Sequence, residues 1–373
     1  MRSKRCVACR IAVALFQRSS GRIPVARSLV SPLIAATLAF AASAAAPTVS
    51  FADENGVSFW VPGFFGSLAS TPQQPGWSFA AVNYYTNVSA SGNAAVSKEI
   101  TIGQFNPALN ASINANVSAR ADIGFFAPTY VFATPFLGGQ ASVSVLAAYG
   151  QNSTALNGTI AGTIGPIPFT RTIGLSQTTD GLGDVVPQFA VRWNAGVNNY
   201  MAYITGDIPV GLYHSSNLAN LGIGHGAIDG GVGYTYFDPK AGNEFSATVG
   251  LTGNFENTST GYTNGIDAHL DLGASKFLTK QLQVGLVGYV YDQLTPDSGC
   301  APVLCPFESR VLGIGPQVGY LFPVGDMQGY LNLKGYKEFD NFDRPDGYNV
   351  WLTFVLSPKA PEAAAPPIVT KAH

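Results

Sequence analysis

Residues 244–256 read Glu-Phe-Ser-Ala-Thr-Val-Gly-Leu-Thr-Gly-Asn-Phe-Glu. One parity carries Phe245, Ala247, Val249, Leu251, Gly253 and Phe255, and the other Glu244, Ser246, Thr248, Gly250, Thr252, Asn254 and Glu256. Successive side chains of an extended strand point to opposite faces, so this segment presents one apolar and one polar surface. It is longer than the roughly 5–6 residues usual in soluble sheets. About ten residues at about 3.3 Å each, tilted by about 40°, span roughly 25 Å, the height of the lipid-facing band of a membrane barrel. A long half-buried strand of a soluble sandwich carries the same alternation. The stretch therefore narrows the fold to two architectures, and the connections choose between them.

Strand-like segments recur near 77–88, 111–133, 140–151, 185–194, 199–208, 227–238, 243–256, 264–275, 281–292, 310–322, 327–338 and 347–356. In the second, Ile113, Ala115, Val117, Ala119, Ala121 and Ile123 alternate with Asn114, Asn116, Ser118, Arg120 and Asp122; in the eighth, Ile266, Ala268, Leu270 and Leu272 alternate with Asp267, His269 and Asp271. Connections are short at 134–139, 194–198, 239–242, 276–280 and 323–326. They are long at 89–110, 152–184, 209–226, 257–263, 293–309 and 339–346. Outer-membrane barrels place short turns in the periplasm and long loops outside, whereas a soluble sandwich has no reason to keep that rhythm. The expected fold class is all-β: a transmembrane antiparallel up-and-down β-barrel of about 12 strands over residues 77–357, with both termini periplasmic. Charged residues make up only 11% of the chain, against about 25% in soluble domains, which suits such a barrel. Pro187 and Pro316 fall inside expected strands. Each removes a ladder hydrogen bond, so a bulge or local break is expected there.

Residues 1–52 carry Arg2, Lys4, Arg5, Arg10, Arg18, Arg22 and Arg27 and no acid, with an apolar run over 29–46. Ser50-Phe51-Ala52 fits a small-x-small cleavage pattern, so residues 1–52 read as a signal peptide and Asp53 as the mature start. Cleavage leaves 13 of the 20 basic residues against 22 acids, a charge of about −9. That balance argues against a nucleic-acid partner and against a pore built to attract anions. Cys300 and Cys305, in Cys-Ala-Pro-Val-Leu-Cys, read as a local disulfide of an exported protein. Residues 358–373 are rich in Ala and Pro and are expected to form a periplasmic tail.

Residues 53–76 are not strand-like. Phe59, Trp60, Phe64 and Phe65 fall within seven residues, among Pro62, Gly63 and Gly66. Such a segment forms no long regular element, yet its aromatic rings need cover from water. The nearest cover is the mouth of the barrel, where the segment would act as a plug and offer an apolar solute a binding surface. The alternative is a leader packed on the surface. Polar parities place Arg120, Asp122, Glu244, Thr248, Asn254, Asp267, His269 and Lys334 towards the lumen, where they would set pore polarity. A hydrolase would need a nucleophile, a base and an orienting group, and no Gly-x-Ser-x-Gly elbow is present. His269, between Asp267 and Asp271 on one face, reads as a solvated lumen residue, because polar alternation supplies such triplets by default. No enzymatic activity, metal or cofactor is expected.

Ser58-Phe59-Trp60-Val61-Pro62-Gly63, Gly66-Ser67-Leu68-Ala69 and Pro75-Gly76-Trp77 together resemble the amino-terminal signature of the outer-membrane proteins named after the meta-pathway of phenol degradation. Gly183-Asp184-Val185, Tyr234-Thr235-Tyr236-Phe237-Asp238-Pro239, Asn254-Phe255-Glu256-Asn257 and Tyr330-Leu331-Asn332-Leu333-Lys334-Gly335-Tyr336 are similar too. The resemblance covers nearly all of residues 53–357. It implies an outer-membrane channel, surrounded by outer-membrane lipid, for passive uptake of small hydrophobic or aromatic solutes. A general polar-solute porin and a non-transporting surface-binding barrel are the alternatives.

Overall fold

The computed structural model describes residues 58–99, 108–299 and 308–360. Twelve strands make up its regular structure: β1 (Gly76–Glu99), β2 (Ala108–Val131), β3 (Gln140–Ile164), β4 (Ile167–Ala195), β5 (Asn198–Asp207), β6 (Ala227–Asp238), β7 (Asn243–Asn254), β8 (Asp267–Phe277), β9 (Leu282–Gln293), β10 (Arg310–Val324), β11 (Met327–Phe342) and β12 (Asp346–Pro358). Each pairs antiparallel with its sequence neighbours, and β1 closes the ring against β12 from Phe79↔Leu356 to Ser89↔Asp346. Closure removes free edges from the ring, so the wall pairs its backbone groups within the protein, as lipid requires.

Side-chain parity on β7 explains how the wall meets its two solvents. Phe245, Val249 and Leu251 are exposed on the outside, while Glu244, Ser246, Thr248 and Thr252 are buried inside. Outward-facing rings gather at the rim that carries the short turns: Trp77 with Tyr130, Tyr200 with Tyr234, and Tyr320 with Phe322. An apolar band edged by aromatic rings is the outer surface of a barrel that spans a bacterial outer membrane.

Within two long connections expected from the sequence, residues 89–99, 108–110, 152–164 and 167–184 are strand instead. β1 to β4 run for 24, 24, 25 and 29 residues, against 10 to 16 in the other eight. β1 leaves β12 at Ser89 and β4 meets β5 only below Val185, so the two hairpins continue past the ring as a four-stranded sheet. Both faces of that extension are beyond the bilayer, which explains why its sequence is rich in Ser, Thr, Asn and Gly.

The same projection corrects the reading of β2. Val117 is buried, and Ala121, Ile123 and Phe125 face the lumen, so the apolar parity points inwards. Arg120 and Asp122 are exposed on the outer face, where Asn83 Nδ2 donates to Asp122 Oδ1 at 2.7 Å. At this height the wall is leaving the lipid, so a polar outer face is stable and the usual sorting reverses.

The strand prolines break ladders without shifting them. Ladder pairs between β4 and β5 stop at Gln188↔Thr205 and resume at Val185↔Ile208, which leaves out Pro187. Between β10 and β11 they skip from Ile314↔Lys337 to Gln317↔Lys334 around Pro316. Bulges lie elsewhere, between Ala147 and Tyr149 and between Arg310 and Leu312.

A candidate solute path beside a luminal segment

Residues 58–75 thread the lumen from the long-loop end to the short-turn end, held by the wall rather than by secondary structure of their own. At the long-loop end, Arg344 Nη1 donates to Ser58 Oγ at 3.4 Å. At the opposite rim, Gln73 and Gln140 exchange two hydrogen bonds, of 2.7 and 2.6 Å. Midway, Asp271 on β8 accepts the Gly63 and Phe65 N–H groups at 2.8 and 3.2 Å. Lys334 on β11 donates to the carbonyl oxygens of the same two residues at 2.5 and 3.0 Å. A carboxylate and an ammonium group thus grip one turn from opposite sides, satisfying backbone groups that an irregular segment cannot pair internally.

Below that turn, Leu68 N–H is shared by Glu244 and Ser246, both at 3.0 Å, and Arg192 Nε donates to Ala69 O at 3.2 Å. Thr235 Oγ1 accepts Ser70 N–H at 3.2 Å, and Gln317 Nε2 donates to Ser67 Oγ at 2.6 Å. Glycines supply the clearance. Gly63 sits at φ +87, and an added Cβ there would lie 3.0 Å from the Tyr336 ring. On the wall, a Cβ on Gly273 would lie 2.7 Å from Ser67 N.

The aromatic residues of the segment pack as one cluster. Trp60 is 3% exposed and stacks on His269, with ring centroids 3.6 Å apart and planes 13° apart. Phe65 meets Tyr203 edge-on at 5.1 Å, and Phe64 meets both Trp60 and Trp351. His269 Nε2 lies 3.1 Å from both Tyr203 OH and Asp229 Oδ2, and Thr252 donates to that carboxylate at 2.7 Å.

Two cavities lie beside this cluster, the inner against β2 to β5 and the outer against β1, β2, β11 and β12. The outer, of about 130 Å³, is bounded by Trp60, Val61, Tyr84, Ile123, Phe125 and Glu338. The inner, of about 200 Å³, is bounded by Phe59, Trp60, Phe64, Phe125, Leu146 and Val186, with Thr129, Ser144, Gln188 and Thr205 as its polar wall groups. Trp60, Val61 and Phe125 border both, so they form the constriction between the two spaces.

The structure distributes the sequence-derived candidates unevenly. Phe59, Trp60 and Phe64 border the inner cavity, and Phe65 sits behind them on Tyr203. Glu244, Thr248, Asp267, His269 and Lys334 are buried inside the barrel. Asn254, nearer the long loops, donates to Asp267 Oδ2 at 2.9 Å. Arg120 and Asp122 lie on the outer wall, away from these residues. Cys300 and Cys305 lie outside the described residues, as do residues 1–52 proposed as a signal peptide. Sequence reasoning missed Arg192 and Phe125. Arg192 was a lone cation in an apolar strand, and Phe125 continues the inward parity of β2. Among the described residues, no group of three or more His, Cys, Asp or Glu side chains is arranged to hold a metal ion.

The barrel is similar to a crystallised outer membrane channel from Pseudomonas putida F1, with a TM-score of 0.55 and 11% identity over 79% of this chain and 98% of that one. A weaker likeness, TM-score 0.29 and 9% identity over 76% of this chain and 98% of the other, links it to OccK10 (OpdN) of Pseudomonas aeruginosa. No curated protein matches the chain in sequence. Residues 91–354, more than half of the chain, match the family described as "Putative MetA-pathway of phenol degradation", and the chain belongs to that family.

Proposed function

We propose that the barrel is a channel for passive uptake of small hydrophobic or aromatic compounds, and that residues 58–75 are a plug that blocks wider passage. The inner cavity carries this reading. An apolar cavity of ~150 Å³ suffices to bind benzene, and about 200 Å³ would admit a single substituted ring. Aromatic walls give such a solute broad contact, and Thr129, Ser144, Gln188 and Thr205 offer hydrogen bonds to one hydroxyl. The solute would enter from the outer cavity, pass Trp60 and Phe125, and leave by diffusion. Movement down a gradient requires neither nucleotide nor metal.

The test is flux into proteoliposomes. Wild-type protein should pass a phenol faster than a sugar of similar mass. Leu146→Trp, which fills the inner cavity without touching the fastenings of the plug, should slow the phenol and leave the residual sugar leak unchanged. Equal flux of both solutes through wild-type protein would favour a polar porin. No flux of either would favour a barrel that does not transport.

A further inference from the structure

On the outer wall, four residues lie directly opposite one another across four strands: Lys337 of β11, Tyr348 of β12, Asn87 of β1 and Arg120 of β2. The row continues into Ser153 of β3 and Thr178 of β4, whose hydroxyls are 2.9 Å apart. Lys337 has a side chain 68% exposed, and Arg120 and Asn87 are exposed on the same face. Three inter-strand steps separate the two cations by about 14 Å. A shallow hollow of about 280 Å³ surrounds Arg120, bordered by Asn87, Ser118, Ser153, Ser176 and Thr178.

Height gives this row its meaning. Asn87 follows Trp77, in the aromatic rim at the short turns, by ten residues on β1. That length spans roughly 25 Å of a tilted wall, which brings the row to the outer edge of the apolar band. Tyr85 and Tyr348 mark that edge, with ring centroids 6.1 Å apart. The headgroups of the outer leaflet lie at this height. The cations also keep to one side: β5, β6, β7 and β9 contain no Lys or Arg, and Lys276 of β8 is at the opposite rim.

We infer that the row from Lys337 to Arg120 binds the phosphorylated headgroup of lipid A. The two phosphates of that glycolipid stand at opposite ends of a rigid disaccharide, so they call for two separated cations with hydroxyl and amide groups between them. Arg120 suits a phosphate because its planar fork donates in pairs, and it makes no ion pair among the described residues. Asp346 lies 3.7 Å from Lys337, and Asp122 is engaged by Asn83. These carboxylates weaken the site for free anions in solution, and they are placed to share divalent cations with a lipid anchored beside them. Each cation near an anionic lipid surface strengthens binding several-fold, so losing two should weaken it by about tenfold or more.

The experiment is native mass spectrometry of the full-length barrel in detergent with bisphosphoryl lipid A as the probe. Arg120→Ser with Lys337→Ser should lower bound lipid A by about tenfold or more, while Lys276→Ser at the opposite rim leaves it unchanged. Heat-modifiable migration of each variant verifies that the barrel is folded. Inorganic phosphate in excess should fail to displace the lipid. Unchanged binding in the folded double variant, an equal loss in Lys276→Ser, or displacement by inorganic phosphate would each overturn the assignment.

Discussion

Lys334→Met tests whether the luminal segment is a plug held by the wall. Methionine keeps the length of the side chain and removes its charge. Two charge-assisted hydrogen bonds, to Gly63 O and Phe65 O, are lost together. Both carbonyl groups belong to a packed turn, and Lys334 is itself 6% exposed, so water replaces the lost donors poorly. Leaving two buried acceptors unpaired costs about 1–3 kcal/mol each, together roughly 2–6 kcal/mol. At 1.4 kcal/mol per tenfold change, the ratio of seated to displaced segment should fall by a factor on the order of 30 or more. Asp271 still holds both N–H groups, so the segment should come loose intermittently and not leave for good. Single-channel recording in planar bilayers should therefore show brief large-conductance openings that the wild-type barrel lacks, with a matching rise in sugar leak. Heat-modifiable migration on gels would confirm folding. A folded Lys334→Met barrel with wild-type conductance and leak would refute the argument, because the grip would then not control the seat of the segment.

Gly273→Val should raise leak by a different route: the new side chain collides with the Ser67 backbone, an overpacking worth about 1–3 kcal/mol, and liposome swelling would read it. Val249→Arg, on the outer face, should impair insertion by about 2–4 kcal/mol near the midplane, measured as the folded fraction in vesicles. Thr248→Arg points inwards beside the Ser70 hydroxyl, so it should insert normally and disturb the plug instead; equal insertion of both arginine variants would contradict the parity of β7. Phe125→Ala widens the constriction between the two cavities, and should speed aromatic flux more than sugar flux in the same proteoliposomes.

The wall was legible where it has lipid on one side and the interior on the other. In β7, Val249 faces out and Thr248 in, and the bounds of β5 to β12 follow from such alternation to within a few residues. Legibility ended where that contrast ends. Past Ser89 both faces of β1 to β4 are beyond the bilayer, so polar strands resemble loops. Just below it, at the outer edge of the apolar band, the outer face of β2 is itself polar, so the parity that includes Arg120 reads as luminal from sequence alone. Within the site, the aromatic run from Phe59 to Phe65 was visible as chain that needed cover. Its fastenings were not, because Asp271, Lys334, Arg192 and Glu244 come from four strands, and only closure of the ring brings them to the same segment.

The lumen has two chemically different sides, and their difference accounts for both the path of the luminal segment and the cavities. Strands β6 to β11 contribute Thr235, Glu244, Ser246, Asp271, Gln317 and Lys334, and every one of them bonds to residues 63–70. Level with the aromatic cluster, the facing wall contributes Phe125, Ala127, Leu146 and Val186, whose side chains have no polar group to offer a backbone. Its fastenings, Arg192 to Ala69 and Gln140 to Gln73, lie nearer the short-turn rim. An irregular segment placed in this barrel must satisfy its N–H and C=O groups, so it lies against the polar side. Its aromatic rings then face the apolar side across a gap that neither surface can close with hydrogen bonds. That gap is the pair of cavities. Moving Glu244, Asp271 and Lys334 to the β2–β4 wall would draw the segment across the lumen and close the apolar gap, while leaving the number of polar residues inside the barrel unchanged. The polarity of the lumen therefore follows from where its charges stand around the ring, because the luminal segment engages Glu244, Asp271 and Lys334 and turns its rings towards the apolar wall.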